Sequence, residues 1–595
     1  MEYKQRKDTD PRYQWDLSHI FRDKEEWEKA YAEAEALTAE LPLLKGTLGT
    51  SVDSLKNGLD TLYKAAEKVM LVYLYADLSK SGDNGDPEYQ AMDGRAANLY
   101  VTFSTAVSFF DPEVLAIDPE TLARYTADPK LAGYRHILED TARGRAHTLD
   151  AEREKMLAML GDAAEAPSNI FEMFESVDMT FPKLRNEQGE EVQLTHGNYC
   201  VFRESKDARV RREAFEMYHG EFKKYENTLA AAYAGAVKLD SYFADVRGYE
   251  SACARALFTN NVPAAVYDAL ISAIHEGLPT MKAYLDLRKR TLGLETLNMY
   301  DLYVPMVEDV SYTVSYEEAK ALVRGAAEPL GERYLQLLDE AFSNHWIDVY
   351  ENHGKTTGAF SCGVYGVHPY VLLNYADTLD DAFTLAHELG HAIHSYFSAE
   401  KNDFANHDYR ILVAEVASTV NEVLLTKYLL KTEKDKKRRA YILNHFLEGF
   451  RTTVYRQTLF AEFEQKAHGM YKNGEPLTAD SLNRLYRELN ETYYEGAVVN
   501  DLQDIEWARI PHFYNAFYVY QYATGFCSAV AIADRILKTG DASGYLRFLS
   551  TGGSDYPIEE LKIAGVDLTK PDTVKNALAV FADTLNELEA LLAEF

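Results

Sequence analysis

Residues 380–397 read DDAFTLAHELGHAIHSYF, and the interpretation of the chain starts from this stretch. Its apolar residues recur at intervals of three and four, which is the spacing of one face of an α-helix. They are Phe383, Ala386, Gly390, Ile393 and Phe397. Asp380 or Asp381 can cap the start of such a helix, because a short acidic side chain accepts hydrogen bonds from free backbone N–H groups. We therefore predict an amphipathic helix across 380–397.

A second stripe of this helix carries histidines. His387 and His391 are four residues apart, so their side chains lie one turn above each other and can bind the same ion. Glu388 lies about 100° round the helix from His387, where a carboxylate can reach a metal-bound water without ligating the metal. This is the HExxH arrangement, and with 16 histidines in 595 residues a chance match is rare.

Two histidines do not complete a catalytic zinc site, which normally has three protein ligands and a water molecule. One candidate for the third ligand is His394, but it is seven residues, or about 10.5 Å of helix rise, from His387. The other is Glu415 in the apolar segment ILVAEVASTVNEVLL, where a second helix can return beside the first after the polar residues 400–409. A carboxylate among apolar neighbours is costly to bury without a cation, so we favour Glu415.

The remaining polar residues of these two helices are expected to support the site. Glu422, seven residues after Glu415 on the same face, is predicted either to hydrogen-bond one of the metal-binding side chains or to contact the neighbouring helix. His394 is then expected to pack beside the site. Zinc held by two histidines and a glutamate polarises its water and a substrate carbonyl, while Glu388 takes the water proton and passes it to the leaving amine. This chemistry is peptide hydrolysis.

A donor to the oxyanion, besides the metal, is expected in residues 511–525, PHFYNAFYVYQYATG. His512 begins the segment, and Tyr514, Tyr518 and Tyr522 follow at four-residue spacing, as on one face of a helix. In a chain with 42 tyrosines such a stripe is more often part of a core. Phenolic donors suit a peptide-binding cleft, however, whereas phenylalanine would serve a plain core. All four are candidate catalytic residues, and the principal donor stays open.

Two regions favour strands in a chain that is otherwise predominantly helical. A hairpin is predicted over 179–194, and β-forming residues are dense over 359–375. The sequence HPYVLLNY (368–375) suits either an edge strand that pairs with an extended peptide or an internal strand of a small sheet. The glycine-rich STGGSDYP (550–557) lacks the lysine of a phosphate loop and is interpreted as a turn able to approach a substrate backbone. Apolar spacing in 206–243 predicts two helices separated near His219-Gly220.

Composition excludes several classes of protein. The chain has 62 basic and 94 acidic residues, a formal net charge of −32, so we expect neither nucleic acid nor a membrane surface as a partner. Its four cysteines contain no CxxC pair, so neither a thiolate zinc knuckle nor a disulfide framework is indicated. The first residues lack the apolar run of a signal peptide, and no stretch approaches 18 uncharged apolar residues. We predict a cytoplasmic protein.

Taken together, these segments resemble the oligoendopeptidase F family, bacterial relatives of thimet oligopeptidase and neurolysin. The resemblance rests on HELGHAIH with Glu415 downstream, on GVHPYVLLNY before it, and on PHFYNAFYVYQYATG and TGGSDYP after it. It runs over nearly the whole chain, from WDLSHIF (15–21) onward. It implies a mainly α, elongated multi-helix metallopeptidase with a deep central channel that admits short unfolded peptides. The strand-forming residues before the HExxH helix add a small β-sheet beside it.

The resemblance also implies roles for residues. His387, His391 and Glu415 would bind one Zn²⁺ per chain, and Glu388 would be the general base. Oxyanion and substrate contacts would fall on the histidine and tyrosines of 512–522. Relatives of the thimet type have a glycine-rich loop between this histidine and the first tyrosine, whereas here Phe513-Tyr514 follow His512 directly.

The sequence thus predicts a zinc-dependent endopeptidase that hydrolyses short unfolded oligopeptides. One alternative is a helical HExxH zinc carboxypeptidase, which needs a fixed cation such as Arg410, Arg451 or Arg456 for the substrate's terminal carboxylate. Another is a non-catalytic peptide-binding protein, which would not need the general base. Turn signals suggest an N-terminal helical region (1–112), a helical and hairpin lobe (113–204) and a metallopeptidase catalytic domain (205–595).

Overall fold

The structure, a computed structural model, describes residues 4–307 and 312–595 and is mainly helical, as predicted. In the first half of the chain the helices are α1 Lys24–Glu40, α2 Val52–Gly82, α3 Pro87–Val107, α4 Phe110–Ala116, α5 Pro119–Thr126, α6 Arg135–Arg143, α7 Ala151–Ala164, α8 Ala166–Met173, α9 His196–Arg203, α10 Ala208–Lys224, α11 Glu226–Val246, α12 Ala252–Phe258 and α13 Ala264–Thr291. In the second half they are α14 Tyr316–Ala326, α15 Glu332–Ser343, α16 Leu379–Lys401, α17 Ile411–Thr432, α18 Lys436–Gly449, α19 Arg456–Lys472, α20 Ala479–Tyr493, α21 Tyr520–Thr539, α22 Ser543–Leu549, α23 Pro557–Ile563 and α24 Asp572–Leu592. No helix of this described part is long and apolar enough to cross a membrane.

Many of these helices begin at a side chain that satisfies their free N–H groups. Ser51 caps α2, Asp86 caps α3 ahead of Pro87, and Thr478 caps α20. A short polar side chain followed by helix formers is the usual N-terminal signal of a helix.

One predicted helix break is misplaced. The sequence suggested a break near His219-Gly220, but both residues lie inside α10, and the chain turns at Tyr225 instead. The buried face of α10 continues past the glycine to Phe222. A single glycine costs a helix only about 1 kcal/mol, so packing of this face outweighs its propensity.

Both predicted strand regions form small sheets. Strands β1 Lys183–Arg185 and β2 Glu191–Gln193 pair antiparallel as a hairpin, and Gly189 in the turn has φ of 81°. The second sheet has three strands in the order β3 Ile347–Asp348, β5 Tyr370–Leu372, β4 Phe360–Cys362.

The central position of β5 decides between the two interpretations of residues 368–375. It pairs in parallel with β3 on one side and antiparallel with β4 on the other. Its backbone groups are therefore already engaged, and the interpretation as an edge strand for a peptide is wrong. The alternative, an internal strand, is correct. The sheet packs against α16, as predicted, and a side chain at Gly363 would collide with Ser395 on that helix.

The chain divides into two compact units, each assembled from three segments. The first contains Met1–Ala146, Tyr312–Leu429 and Ile532–Val566, and the second contains His147–Ser311, Leu430–Ala531 and Asp567–Phe595. The HExxH helix belongs to the first unit, and the segment that begins at His512 belongs to the second. The domain boundaries near 112 and 204 stay predictions.

Candidate active site

Helix α16 carries the HExxH motif, and its N-cap lies two residues before Asp380 and three before Asp381, the two predicted caps. Thr378 is the N-cap: its hydroxyl accepts from the Asp381 N–H, and the Asp381 carboxylate accepts from the Thr378 N–H, at 3.1 and 2.9 Å. Asp381 is therefore the third residue of the helix, where it completes a capping box with Thr378, and is not the cap itself; Asp380 lies in the first turn. This arrangement fixes where the helix starts and hence the direction of its histidines.

Gly390, in the middle of the motif, lets the second helix approach. A Cβ atom at this position would lie 2.6 Å from Ser418 Cα and 2.8 Å from the Ala417 carbonyl oxygen of α17. Asn421 of α17 also donates to the Ala386 carbonyl across the contact, at 3.0 Å. The sequence interpretation counted Gly390 only as part of an apolar stripe and missed Asn421. A polar residue in an otherwise apolar helix face was the available signal.

The two helices bring three ligand groups together. His387 Nε2 and His391 Nε2 are 3.1 Å apart, and Glu415 Oε2 lies 3.7 and 3.9 Å from them. Within the described residues, these three side chains form a group whose ligand atoms all lie within 4.8 Å of one another. The Glu415 side chain is 38% exposed, so the cost of burial assumed from the sequence is smaller than expected. Its position beside the histidines is what makes it a candidate ligand.

The hydrogen bonds behind the histidines determine which nitrogens face inward. His387 Nδ1 donates to Glu422 Oε1 at 2.5 Å, and the His391 ring bonds the backbone of Ala414. The two Nε2 atoms face each other and the Glu415 carboxylate. A cation among these three groups would be attracted to the carboxylate and to the lone pairs that the two imidazoles present once deprotonated. Two histidines and a glutamate, one histidine braced by a second carboxylate, fit a divalent ion such as zinc.

The charges of the site shift its pKa values in different directions. Burial lowers the pKa of His387, but the Glu422 hydrogen bond and nearby carboxylates outweigh it and raise the value to about 8. Burial and the adjacent His387 lower the pKa of His391 to about 3. Burial raises the pKa of Glu388 to about 7, with a further contribution from Glu415. A carboxyl group with a pKa near neutrality can both take and release a proton.

His394 does not join the three ligand atoms. Its ring stacks on Tyr409, with centroids 3.7 Å apart and planes 13° apart, and it is almost fully buried. Burial lowers its pKa to about 3. Tyr409 in turn contacts Ser395 through its hydroxyl at 2.8 Å. The structure thus places His394 in the packing behind the motif.

The four candidates of the 512–522 segment do not share one helix face. Residues Pro511–Tyr514 form a 3₁₀ turn, and α21 begins only at Tyr520, because Phe517 adopts φ of +60° and interrupts any continuous helix. The predicted four-residue stripe is therefore wrong as a helical feature.

Three of the four still meet in space. The rings of His512 and Tyr522 have centroids 5.9 Å apart, those of Tyr518 and Tyr522 5.5 Å apart, and the Tyr522 hydroxyl lies 3.4 Å from His512 Nε2. Tyr514 packs instead against Phe171, with centroids 4.6 Å apart, and burial raises its pKa. We call His512, Tyr518 and Tyr522 the ring cluster.

The glycine-rich turn of 550–557 contacts the backbone of another segment of the same chain. The Gly553 N–H donates to the Asn406 carbonyl at 2.9 Å, and a Cβ atom at Gly552 would collide with that same oxygen. Gly552 also has φ of +60°. The glycines therefore allow close backbone contact with the connection between α16 and α17.

Two of the three arginines considered for a carboxylate-binding role are engaged inside the second unit. Arg451 pairs with Glu448 at 2.5 Å, and Arg456 pairs with Glu506 at 2.8 Å. Arg410, in the first unit, pairs with Asp140 at 3.3 Å and is about half exposed.

Comparison with known proteins assigns this arrangement to a family. The family model for peptidase family M3 matches residues 201–580, and the one for oligopeptidase F matches residues 113–181. The chain belongs to peptidase family M3. This M3 peptidase is 42% identical over 582 residues to oligopeptidase PepF of Bacillus subtilis (strain 168), covering 97% of this chain and 87% of that protein.

Two crystal structures resemble this M3 peptidase. One, of a protein from Chlamydophila abortus described as a peptidase, has a TM-score of 0.95 at 32% identity and covers 99% of this chain and 100% of that one. The other, oligoendopeptidase-F from Enterococcus faecium, has a TM-score of 0.73 at 37% identity and covers 96% of this chain and 99% of that one. The resemblance identified in the sequence is therefore confirmed.

Proposed function

We propose that this M3 peptidase is a zinc-dependent endopeptidase that hydrolyses short unfolded oligopeptides. One observation carries the proposal: His387, His391 and Glu415 direct three ligand atoms toward one point, with Glu388 next to His387 on the same helix. Zinc bound there would act as a Lewis acid toward water and the scissile carbonyl. A cytoplasmic location also remains part of the proposal.

Glu388 is proposed to move the proton. At 7% exposure it is shielded from bulk solvent, and its pKa of about 7 suits both halves of the task. It accepts a proton as water attacks, and then gives that proton to the amine that leaves. Glu422 holds His387 in the tautomer that exposes Nε2.

The ring cluster is proposed to hold the substrate and donate to the oxyanion. His512 Nε2 and the Tyr522 hydroxyl lie close together, and Tyr518 borders both rings. Tyr514 is the weakest of the original four candidates, because its ring packs against Phe171. Removing one donor of this kind costs an enzyme about 10²–10³-fold in kcat.

The substrate class rests on the relatives. The similar proteins carry the names oligopeptidase and oligoendopeptidase F, which supports oligopeptides and internal cleavage here. The carboxypeptidase alternative loses two of its three candidate arginines, because Arg451 and Arg456 are committed to ion pairs.

An internally quenched oligopeptide blocked at both ends tests this function. We expect cleavage at an internal bond, loss of cleavage after removal of the metal with a chelator, and recovery on adding zinc. A carboxypeptidase would leave the blocked peptide intact. A peptide-binding protein would bind it without any turnover, which fluorescence anisotropy of the same peptide would reveal.

A further inference from the structure

Phe517 has an unusual backbone for its side chain. In the described part of the chain, four residues other than glycine have positive φ: Asn261, His345, Asp377 and Phe517. Asparagine, aspartate and histidine are the side chains that tolerate this region, whereas a bulky aromatic residue there is a true outlier. Such a conformation persists only where the surroundings hold it, and such positions concentrate at functional sites.

The group that holds this turn is the carboxyl of Glu464. Glu464 lies on α19, is 0% exposed, and its Oε1 accepts the Phe517 N–H at 3.0 Å. The Phe517 ring is fixed as well, because it packs against His468 and Tyr267 with centroids 4.7 and 5.8 Å away. Side chain and backbone of Phe517 are thus both anchored in the second unit.

Within the described residues, no ion pair compensates the burial of Glu464. Burial raises the pKa of this carboxyl well above its usual range, and the charged group that adds to the effect is Asp240. Its Oε2 has no hydrogen-bond partner in the described structure. Because burying a carboxyl group without a full set of partners costs free energy, an acid at this position implies a role that an apolar side chain could not fill. The hydrogen bond that this carboxyl makes is to the Phe517 N–H.

The turn determines where the next residue goes. A continuous helix would have placed Tyr518 on the same face as Tyr514. Instead Tyr518 follows the left-handed residue and lies parallel to His512, with planes 18° apart and centroids 6.3 Å apart, and edge-on to Tyr522.

We propose that Glu464 is a positioning residue of the peptidase site: by accepting the Phe517 N–H it holds the turn that brings Tyr518 into the ring cluster. The proposal rests on the function proposed above, in which the ring cluster contacts the substrate. Glu464 itself does not touch the substrate. It acts through the backbone of Phe517.

Three variants of the full-length protein test the proposal. Glu464→Gln keeps a neutral acceptor of the same shape, so kcat/KM should stay within about threefold of the native value. Glu464→Met keeps the volume but has no comparable acceptor, so kcat/KM should fall about 10- to 100-fold, as expected for a small misplacement of a substrate contact. Because the loss passes through Tyr518, adding Tyr518→Phe to Glu464→Met should cost little more than Tyr518→Phe alone.

Glu462→Met is the matched control. Glu462 is also a buried glutamate of α19, but it binds His275 and Tyr493 and not the 511–522 segment. Its loss should combine multiplicatively with Tyr518→Phe. Losses that multiply in the same way for Glu464→Met would overturn the proposal.

A crystal structure of Glu464→Met separates this proposal from the proposed function. We expect φ of Phe517 to leave the positive region and the Tyr518 ring to move away from His512. An unchanged turn would overturn the proposal whatever the activity. Failure of the peptidase function itself would appear elsewhere, as no cleavage of the internally quenched peptide by the native protein.

Discussion

At the scale of single residues, the site depends on Glu388 being near the histidines without competing for the ion. We predict that Glu388→Gln lowers kcat by about 10²–10⁴-fold, since the amide cannot accept the water proton. The metal content of the purified protein, measured by mass spectrometry, should stay at the native level. A turnover close to native would remove Glu388 from the role of general base.

The third ligand is a second question at this scale. Glu415 Oε2 lies within 3.9 Å of both histidine nitrogens, whereas His394 is stacked on Tyr409. Glu415→Ala should therefore weaken zinc binding by at least about 10–100-fold, and His394→Ala should weaken it much less. Titration of both variants with a competing chelator measures the difference. The opposite order of affinities would mean that the third ligand is misassigned.

Glu560 gives a prediction on pH and stability. It is 2% exposed, and burial, followed by repulsion from Asp555, raises its pKa to about 8 in the folded protein. The ordinary carboxyl pKa of the unfolded chain is near 4.5. The unfolded chain therefore releases this proton first, and the group destabilises the fold progressively as pH rises from about 4.5 to about 8.

Glu560→Gln removes this pH-dependent contribution. At pH 8 we expect the unfolding free energy of the variant to exceed that of the native protein by a few kcal/mol, the magnitude that follows from the pKa shift of Glu560. Near pH 4 this difference should disappear. Thermal melts at the two pH values measure it. An advantage that is equal at both pH values would contradict a protonated Glu560.

At the scale of elements, the site exists because two helices approach at a glycine. We predict that Gly390→Ala forces α17 away from α16, costing about 1–3 kcal/mol in stability and weakening zinc binding, because Glu415 moves with its helix. Gly94→Ala in α3 is the control, since a Cβ atom there meets nothing within 4 Å. That change should be neutral or stabilising, by up to about 1 kcal/mol. Equal effects of both substitutions would show that the close approach is unimportant.

The elements also show where sequence patterns suffice. The HExxH helix and its returning partner were predictable, because their apolar spacing, their intervening polar residues and their ligands all lie within residues 380–425. The predicted caps, Asp380 and Asp381, lie two and three residues after the observed N-cap, because Thr378 and Asp381 act together. The prediction of a tyrosine stripe was wrong for a different reason. The buried carboxyl of Glu464, 53 residues away in the sequence, accepts the Phe517 N–H, and no local sequence pattern predicts such a contact.

At the scale of the whole molecule, the helical class and the family were accessible from the sequence, and the assembly of the chain was not. Each compact unit combines three distant segments, and the choice of neighbours is made by long-range packing. The central position of β5 is of the same kind: its residues suit an edge or an interior strand equally, and its pairing with β3 and β4 decides.

The most direct test of the account is an anomalous-scattering measurement at the zinc absorption edge on crystals of the purified protein. We predict one strong peak per chain, within bonding distance of His387 Nε2, His391 Nε2 and a Glu415 carboxylate oxygen. The peak should be present in the Glu388→Gln variant as well. A zinc peak elsewhere, or none at these three side chains in active protein, would contradict the account.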